Sequence, residues 1–143
     1  MLYPLFAMFL LTLVVAMVML KRRIGAAKAG TIRFSYFKVM QGQEIPEKVL
    51  QAGRQYQNLF EMPVLFYLVG VLYMLLNMES LLAVALAWGF VGFRVVHTLI
   101  HLSYNHVMHR LLAFLASVIV LTVLWGMLIW QYGAAMQSVP GLG

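Results

Sequence analysis

The chain has 143 residues, of which 64% are hydrophobic and only 10% charged, and its mean hydropathy is +0.90. Soluble domains carry about 25% charged residues, so a chain this short cannot hide so much apolar surface inside a water-facing globule, and lipid must cover much of it. With no cysteine it has no disulfide, thiolate metal site or protein thiol nucleophile, and its net charge of +6 is concentrated in Lys21, Arg22, Arg23, Lys28, Arg33, Lys38, Lys48 and Arg54.

The first apolar run covers about residues 2–20, the length of one membrane crossing, which needs about 20 residues. Its charges follow it rather than precede it, so it is expected to be an anchor and not a cleaved signal. Lys21, Arg22 and Arg23 are expected to hold its C-terminal end in the cytoplasm. Such positive loops are normal in membrane proteins, and no aromatic platform or basic helix accompanies this one, so no nucleic-acid partner is expected. Residues 24–45, with Gly25, Gly30 and Gly42, read as an irregular or partly helical connector. Pro46 suits the first position of a helix, and the second span is read over about residues 47–76. With Pro46 included that helix would be about 45 Å long against a hydrocarbon core of about 30 Å, so its first turns should project into the cytoplasm. Pro63 predicts a kink two residues after Glu61.

Asn77, Met78, Glu79 and Ser80 form a short polar turn on the opposite side. The third span is read over about residues 81–104, a break near residues 105–108, and the fourth span over about residues 108–132, with Trp130 and Tyr132 as interface anchors. Residues 133–143 read as a frayed tail. The expected fold is all-α, an integral membrane four-helix bundle making one domain over residues 1–143. Both termini should lie outside, with the first connector and the last turn on the cytoplasmic face.

Two polar rows interrupt the apolar runs. Arg54, Asn58 and Glu61 stand at i, i+4 and i+7 on the second helix, and Arg94, His97 and His101 at i, i+3 and i+7 on the third. Thr98 lies beside the second row and Tyr104 nearly one turn beyond it. Glu61 is about 20 Å along its helix from Pro46, and Arg94 about 15–18 Å from the break at Asn105, so the two can sit at similar depth. Each is costly alone in hydrocarbon, and a Glu61–Arg94 ion pair is the expected remedy, within a subunit or across a subunit contact. That pair by itself is equally compatible with structural glue. Arg54, Asn58, His97 and His101 add donors around a place water can reach, as a polar ligand would require.

His97, His101, His106 and His109 raise the possibility of metal or haem. No carboxylate or thiol completes a local ligand set, and the second helix offers no histidine for a haem held between helices, so neither group is expected. His106 and His109 read as solvated or headgroup contacts, and the eleven methionines as packing residues.

At these positions the chain resembles the MAPEG superfamily, the membrane-associated proteins of eicosanoid and glutathione metabolism. The resemblance rests on the run Arg54 to Glu61, similar to the family's R-x-x-x-N-x-x-E, on Arg94, His97 and Thr98, similar to its R-x-x-H-T, and on Arg110, a basic residue opening the fourth helix. It extends over most of the chain and looks like a bacterial branch, which implies a bacterial inner membrane. The resemblance implies a homotrimer with glutathione sites between subunits near the cytoplasmic side. Arg54 would take a carboxylate, Asn58 and Glu61 amide or ammonium groups, and Arg22 or Arg23 would add a cation. Arg94, His97, His101 and Tyr104 would complete the lining. Arg110 would stabilise a thiolate that attacks a lipophilic electrophile arriving through the bilayer. The family's eukaryotic synthases carry a tyrosine where this chain has His101, and several carry a basic residue where it has Gln57; Tyr104 is the nearest phenol.

The function expected from this resemblance is a glutathione-dependent transferase or peroxidase. The alternative is a non-catalytic MAPEG-like membrane protein that binds a lipid or small anion.

Overall fold

In the computed structural model, which describes residues 1–33, 35–39, 42 and 44–137, the chain is helical throughout its ordered elements. The helices are α1 (Leu2–Lys28), α2 (Tyr36–Val39), α3 (Glu47–Asn58), α4 (Met62–Leu75), α5 (Leu81–Leu102) and α6 (Val107–Gln137). Taking α3 and α4 as one crossing, four helical segments are long and apolar enough to span a membrane.

α1 continues two turns past the point where hydropathy ends. Lys, Arg and Ala are good helix formers, so polarity at residues 21–28 moves the helix out of hydrocarbon without ending it. It ends at Gly30, whose φ of 70° lets the Thr31 N–H reach the Ala26 carbonyl (3.0 Å) and its own N–H reach Ala27 (3.1 Å). Ile32, Tyr36 and Val49 then bury one another and tie the connector to the start of α3.

The second crossing is broken, not merely kinked. Pro63 has no N–H for the Leu59 carbonyl, and its ring clashes with that group in a continuous helix. Residues 59–61 therefore leave the helix, and α4 restarts with Pro63 in its first turn. Asn77 (φ 53°) closes α4 by the same device as Gly30, with Met78 N–H on the Tyr73 carbonyl at 3.0 Å. Ser80 then caps α5 by accepting from the Ala83 N–H at 3.1 Å. Between α5 and α6 the chain turns at Asn105 (φ 50°). α6 runs on to Gln137, so the frayed tail expected from Gly133 is helical at least that far. Residues 138–143 lie outside the described residues.

The core is built from Met8 and Val15 of α1, Phe66, Val69 and Tyr73 of α4, Ala83, Ala87 and Phe90 of α5, and Leu121, Leu124 and Leu128 of α6. Phe66 and Phe90 stack at 4.3 Å, and the Tyr73 hydroxyl donates to the Leu124 carbonyl at 3.0 Å. Small residues allow close approach in lipid. A Cβ at Gly70 would lie 2.6 Å from a Leu5 methyl, so α1 and α4 touch there. Phe6, Leu13, Leu68, Leu99, Ile119 and Trp130 are among many large apolar residues left exposed on the outside.

Candidate functional site: a polar cluster between α3, α5 and α6

α5 turns Arg94, His97, Thr98 and His101 into the bundle, and all four are buried, Arg94 completely. This is the side on which a spanning helix must place ionisable groups. Arg94 Nη2 donates to the Asn58 carbonyl at 3.0 Å and also to Asn58 Oδ1. An unbroken helix would have given that carbonyl to the Met62 N–H. The guanidinium also stands 5.9 Å from the centroid of the Phe114 ring, within cation–π reach.

Within one chain the expected Glu61–Arg94 ion pair is not formed. Glu61 is exposed and accepts from Asn58 Nδ2 at 3.4 Å, so Asn58 stands between acid and base. The i, i+7 alignment of Glu61 with Arg54 holds only within one helix, and the break at residues 59–61 cancels it.

A second set of bonds runs toward the turn between α5 and α6. Arg110 Nη1 lies 3.1 Å from His101 Nε2 and donates to Asn105 Oδ1 at 2.9 Å. His101 Nδ1 meets Gln55 Oε1 at 2.8 Å, Gln55 Nε2 donates to Thr98 Oγ1 at 2.6 Å, and the Thr98 hydroxyl donates to the Arg94 carbonyl at 2.8 Å. Because arginine only donates, the direction of every bond follows. His101 Nε2 accepts, its proton sits on Nδ1, and Gln55 presents its oxygen to the ring and its amide to Thr98.

Two cavities adjoin α3, and the first of them borders the cluster. One of about 240 Å³ is lined by Asn58, His97, Val107, Arg110, Leu111 and Phe114. Next to this group Arg94 Nε, Arg94 Nη1 and His97 Nδ1 are buried without a hydrogen-bond partner in the chain. The other, of about 230 Å³, lies between α1, the connector and α3, and Arg23, Arg54, Gln57 and Tyr36 help to line it. Arg54 and Asn58, one turn apart on α3, thus face different cavities within one chain.

The remaining expected residues fall elsewhere. Arg22 donates to the Lys48 carbonyl (2.9 Å), Gln51 Oε1 (3.2 Å) and the Leu102 carbonyl (2.8 Å), which caps α5 and clamps α1 to α3. Tyr104 is 62% exposed and its hydroxyl meets His109 Nδ1 at 3.1 Å, outside the cluster. Among the described residues no three His, Cys, Asp or Glu side chains converge as a metal set would. Gln55, wholly buried, is the residue the polar rows did not disclose. Its one sequence signal is the i, i+4 spacing to Gln51, which is also buried.

Four apolar crossings around a buried, cation-rich cluster define an all-α integral membrane protein with an internal polar site. The MAPEG family model matches residues 1–130, and the chain belongs to the MAPEG family. Searches of the curated proteins and of the solved structures gave no match.

Proposed function

We propose that this protein binds glutathione and, as a homotrimer, acts as a transferase or peroxidase on lipophilic electrophiles dissolved in the bilayer. The observation that carries this reading is the set of buried, unpartnered atoms (Arg94 Nε and Nη1, His97 Nδ1) next to a cavity that Arg110 and Asn58 also line. A lining dominated by cations and donors selects an acceptor-rich, anionic ligand. Glutathione has two carboxylates and supplies a nucleophilic sulfur when bound.

In this reading Arg54, with Arg23 across the same cavity, holds a carboxylate. Asn58 and Glu61 meet amide or ammonium groups, and His97 contributes a ring nitrogen. Arg110 lies beside the sulfur, where a guanidinium lowers a thiol pKa from about 8.5 and raises the thiolate fraction at neutral pH. Arg94 anchors Asn58 from behind. The two cavities border successive turns of α3, so one extended ligand, or a neighbouring subunit completing each cavity, would join them. The cations of residues 21–54 support a cytoplasmic site, and the bacterial resemblance supports the inner membrane. The whole chain is taken to act as one membrane domain.

Titration calorimetry of detergent-purified protein with glutathione tests this, together with a conjugation assay against a model electrophile in reconstituted membranes. Binding that weakens at least about tenfold in Arg54→Ala and in Arg110→Ala, one lost charge-assisted bond each, is expected. No heat at millimolar glutathione overturns the proposal. It would favour a non-catalytic protein that binds a lipid or small anion, a reading consistent with the outward position of Tyr104, which leaves the cavity without a phenol.

A further inference from the structure

We propose that His101 and Gln55 are positioning residues for Arg110: Gln55 keeps the imidazole proton on Nδ1, and Nε2 then accepts from Arg110 Nη1 and holds the guanidinium against the cavity shared with His97 and Asn58. The inference rests on the reading in which Arg110 faces the ligand's sulfur.

Arg110 stands in the first turn of α6, only half-buried, on a long side chain that water would otherwise draw outward. Two fixed acceptors prevent this. His101 Nε2 and Asn105 Oδ1 take the two hydrogens of Nη1, which leaves Nε and Nη2 for whatever occupies the cavity. Neither acceptor is itself free to turn. Asn105 sits in a left-handed turn closed by its own N–H on the Ile100 carbonyl at 2.8 Å. His101 is buried, and its other nitrogen is held by Gln55, which is locked in turn by Thr98 and the Arg94 carbonyl. A chain of five groups therefore runs from the Arg94 carbonyl through Thr98, Gln55 and His101 to Arg110. Both ring nitrogens of His101 are engaged inside the protein, so its role is to aim Arg110 rather than to touch ligand. Reversing the Gln55 amide would make Nδ1 an acceptor and put a proton on Nε2, facing a guanidinium that cannot accept it. The tautomer is the device.

Two substitutions separate the halves of the ring. In His101→Gln the longer amide reaches the Nε2 position and can still accept from Arg110. In His101→Asn the shorter amide reaches the Nδ1 position, keeps Gln55 and leaves Arg110 with only Asn105 of its two acceptors. Three readouts are taken on folded protein, verified by size-exclusion elution. The first is the nitrogen-15 spectrum of histidine-labelled wild type, expected to show His101 as the Nδ1–H tautomer. The second is the rate of Arg110 modification by phenylglyoxal, followed by peptide mass spectrometry without glutathione. The third is the ultraviolet thiolate absorbance per bound glutathione at neutral pH.

His101→Asn is expected to raise the modification rate about tenfold and to lower the thiolate signal severalfold, as loss of one charge-assisted bond implies. His101→Gln is expected to stay near wild type in both. Equal behaviour of the two variants, or an Nε2–H tautomer in the wild type, overturns the inference. The tautomer measurement needs no variant, so the inference remains falsifiable if His101→Asn does not fold. If wild type binds no glutathione while the tautomer and modification rates come out as expected, the proposed function falls and the positioning role stands.

Discussion

Asn58→Ala tests whether Asn58, and not Glu61, is what makes a buried Arg94 tolerable. The substitution removes the side-chain oxygen that accepts from Arg94 Nη2 and the amide that reaches Glu61 at 3.4 Å. It leaves the Asn58 carbonyl bond at 3.0 Å and the Phe114 face at 5.9 Å. Neutral hydrogen bonds between membrane helices average about 0.6 kcal/mol, whereas a bond to a charged group contributes about 1.5–3 kcal/mol, and stranding a buried charge outright costs about 3–5 kcal/mol. Arg94 keeps one acceptor, so the middle range applies and a loss of about 2 kcal/mol is expected. Glu61→Gln should fall within about 0.5 kcal/mol of wild type, because Glu61 is exposed and its one bond is long. The assay is equilibrium unfolding in mixed micelles, with thermal denaturation as a second measure. Glu61→Gln destabilising the protein as much as Asn58→Ala would refute the reasoning and restore a direct acid–base pair.

Three further outcomes follow from the packing. Gly70→Ala puts a methyl 2.6 Å from Leu5 and should cost about 1–3 kcal/mol by overpacking, with much of the loss recovered in the double variant with Leu5→Ala; additive losses in a double-mutant cycle would contradict the contact. Pro63→Ala restores an N–H for the Leu59 carbonyl and favours one continuous helix, which would take the Asn58 carbonyl away from Arg94. Amide exchange at Met62 should slow, and under the proposed function glutathione affinity should fall about tenfold, because Asn58 loses the carbonyl bond that anchors it to Arg94. Arg22→Ala removes a side chain that bonds both α3 and the end of α5, and a loss of about 2 kcal/mol in unfolding free energy is expected.

The four crossings were legible in the sequence because lipid demands apolar side chains over a fixed length, and nothing else in the chain competes with that signal. The third-helix row was legible for the converse reason: Arg94, His97 and His101 stand out against hydrocarbon, and all three are buried. The limits of α1 were less visible, since hydropathy marks where a helix leaves the membrane and helix propensity decides where it ends. Partners were least visible. Gln55 lies in a segment that reads as water-facing, so nothing in its neighbourhood announced that it would be wholly buried. Glu61 and Arg94 do not pair within one chain because helical phase was carried through residues 59–61, where the break ahead of Pro63 ends it.

That loss of phase is also what makes the cluster physically possible. An arginine in a membrane helix needs acceptors, and helices in lipid have almost none to offer, because their carbonyls are already bonded within the helix. A broken helix is in the opposite position, with carbonyls that need donors. Pro63 creates the second problem at the depth where Arg94 creates the first, and the 3.0 Å bond from Nη2 to the Asn58 carbonyl resolves both at once. The break need not have been offset by a cation; a water or a serine would satisfy one carbonyl. Using an arginine leaves Nε and Nη1 over, buried and still in want of acceptors. The residue that stabilises the broken crossing therefore also carries the cluster's unpartnered donors, so under the proposed function fold and binding cannot be separated at this point by changing Arg94 alone. Asn58 and Pro63 are the positions at which they can.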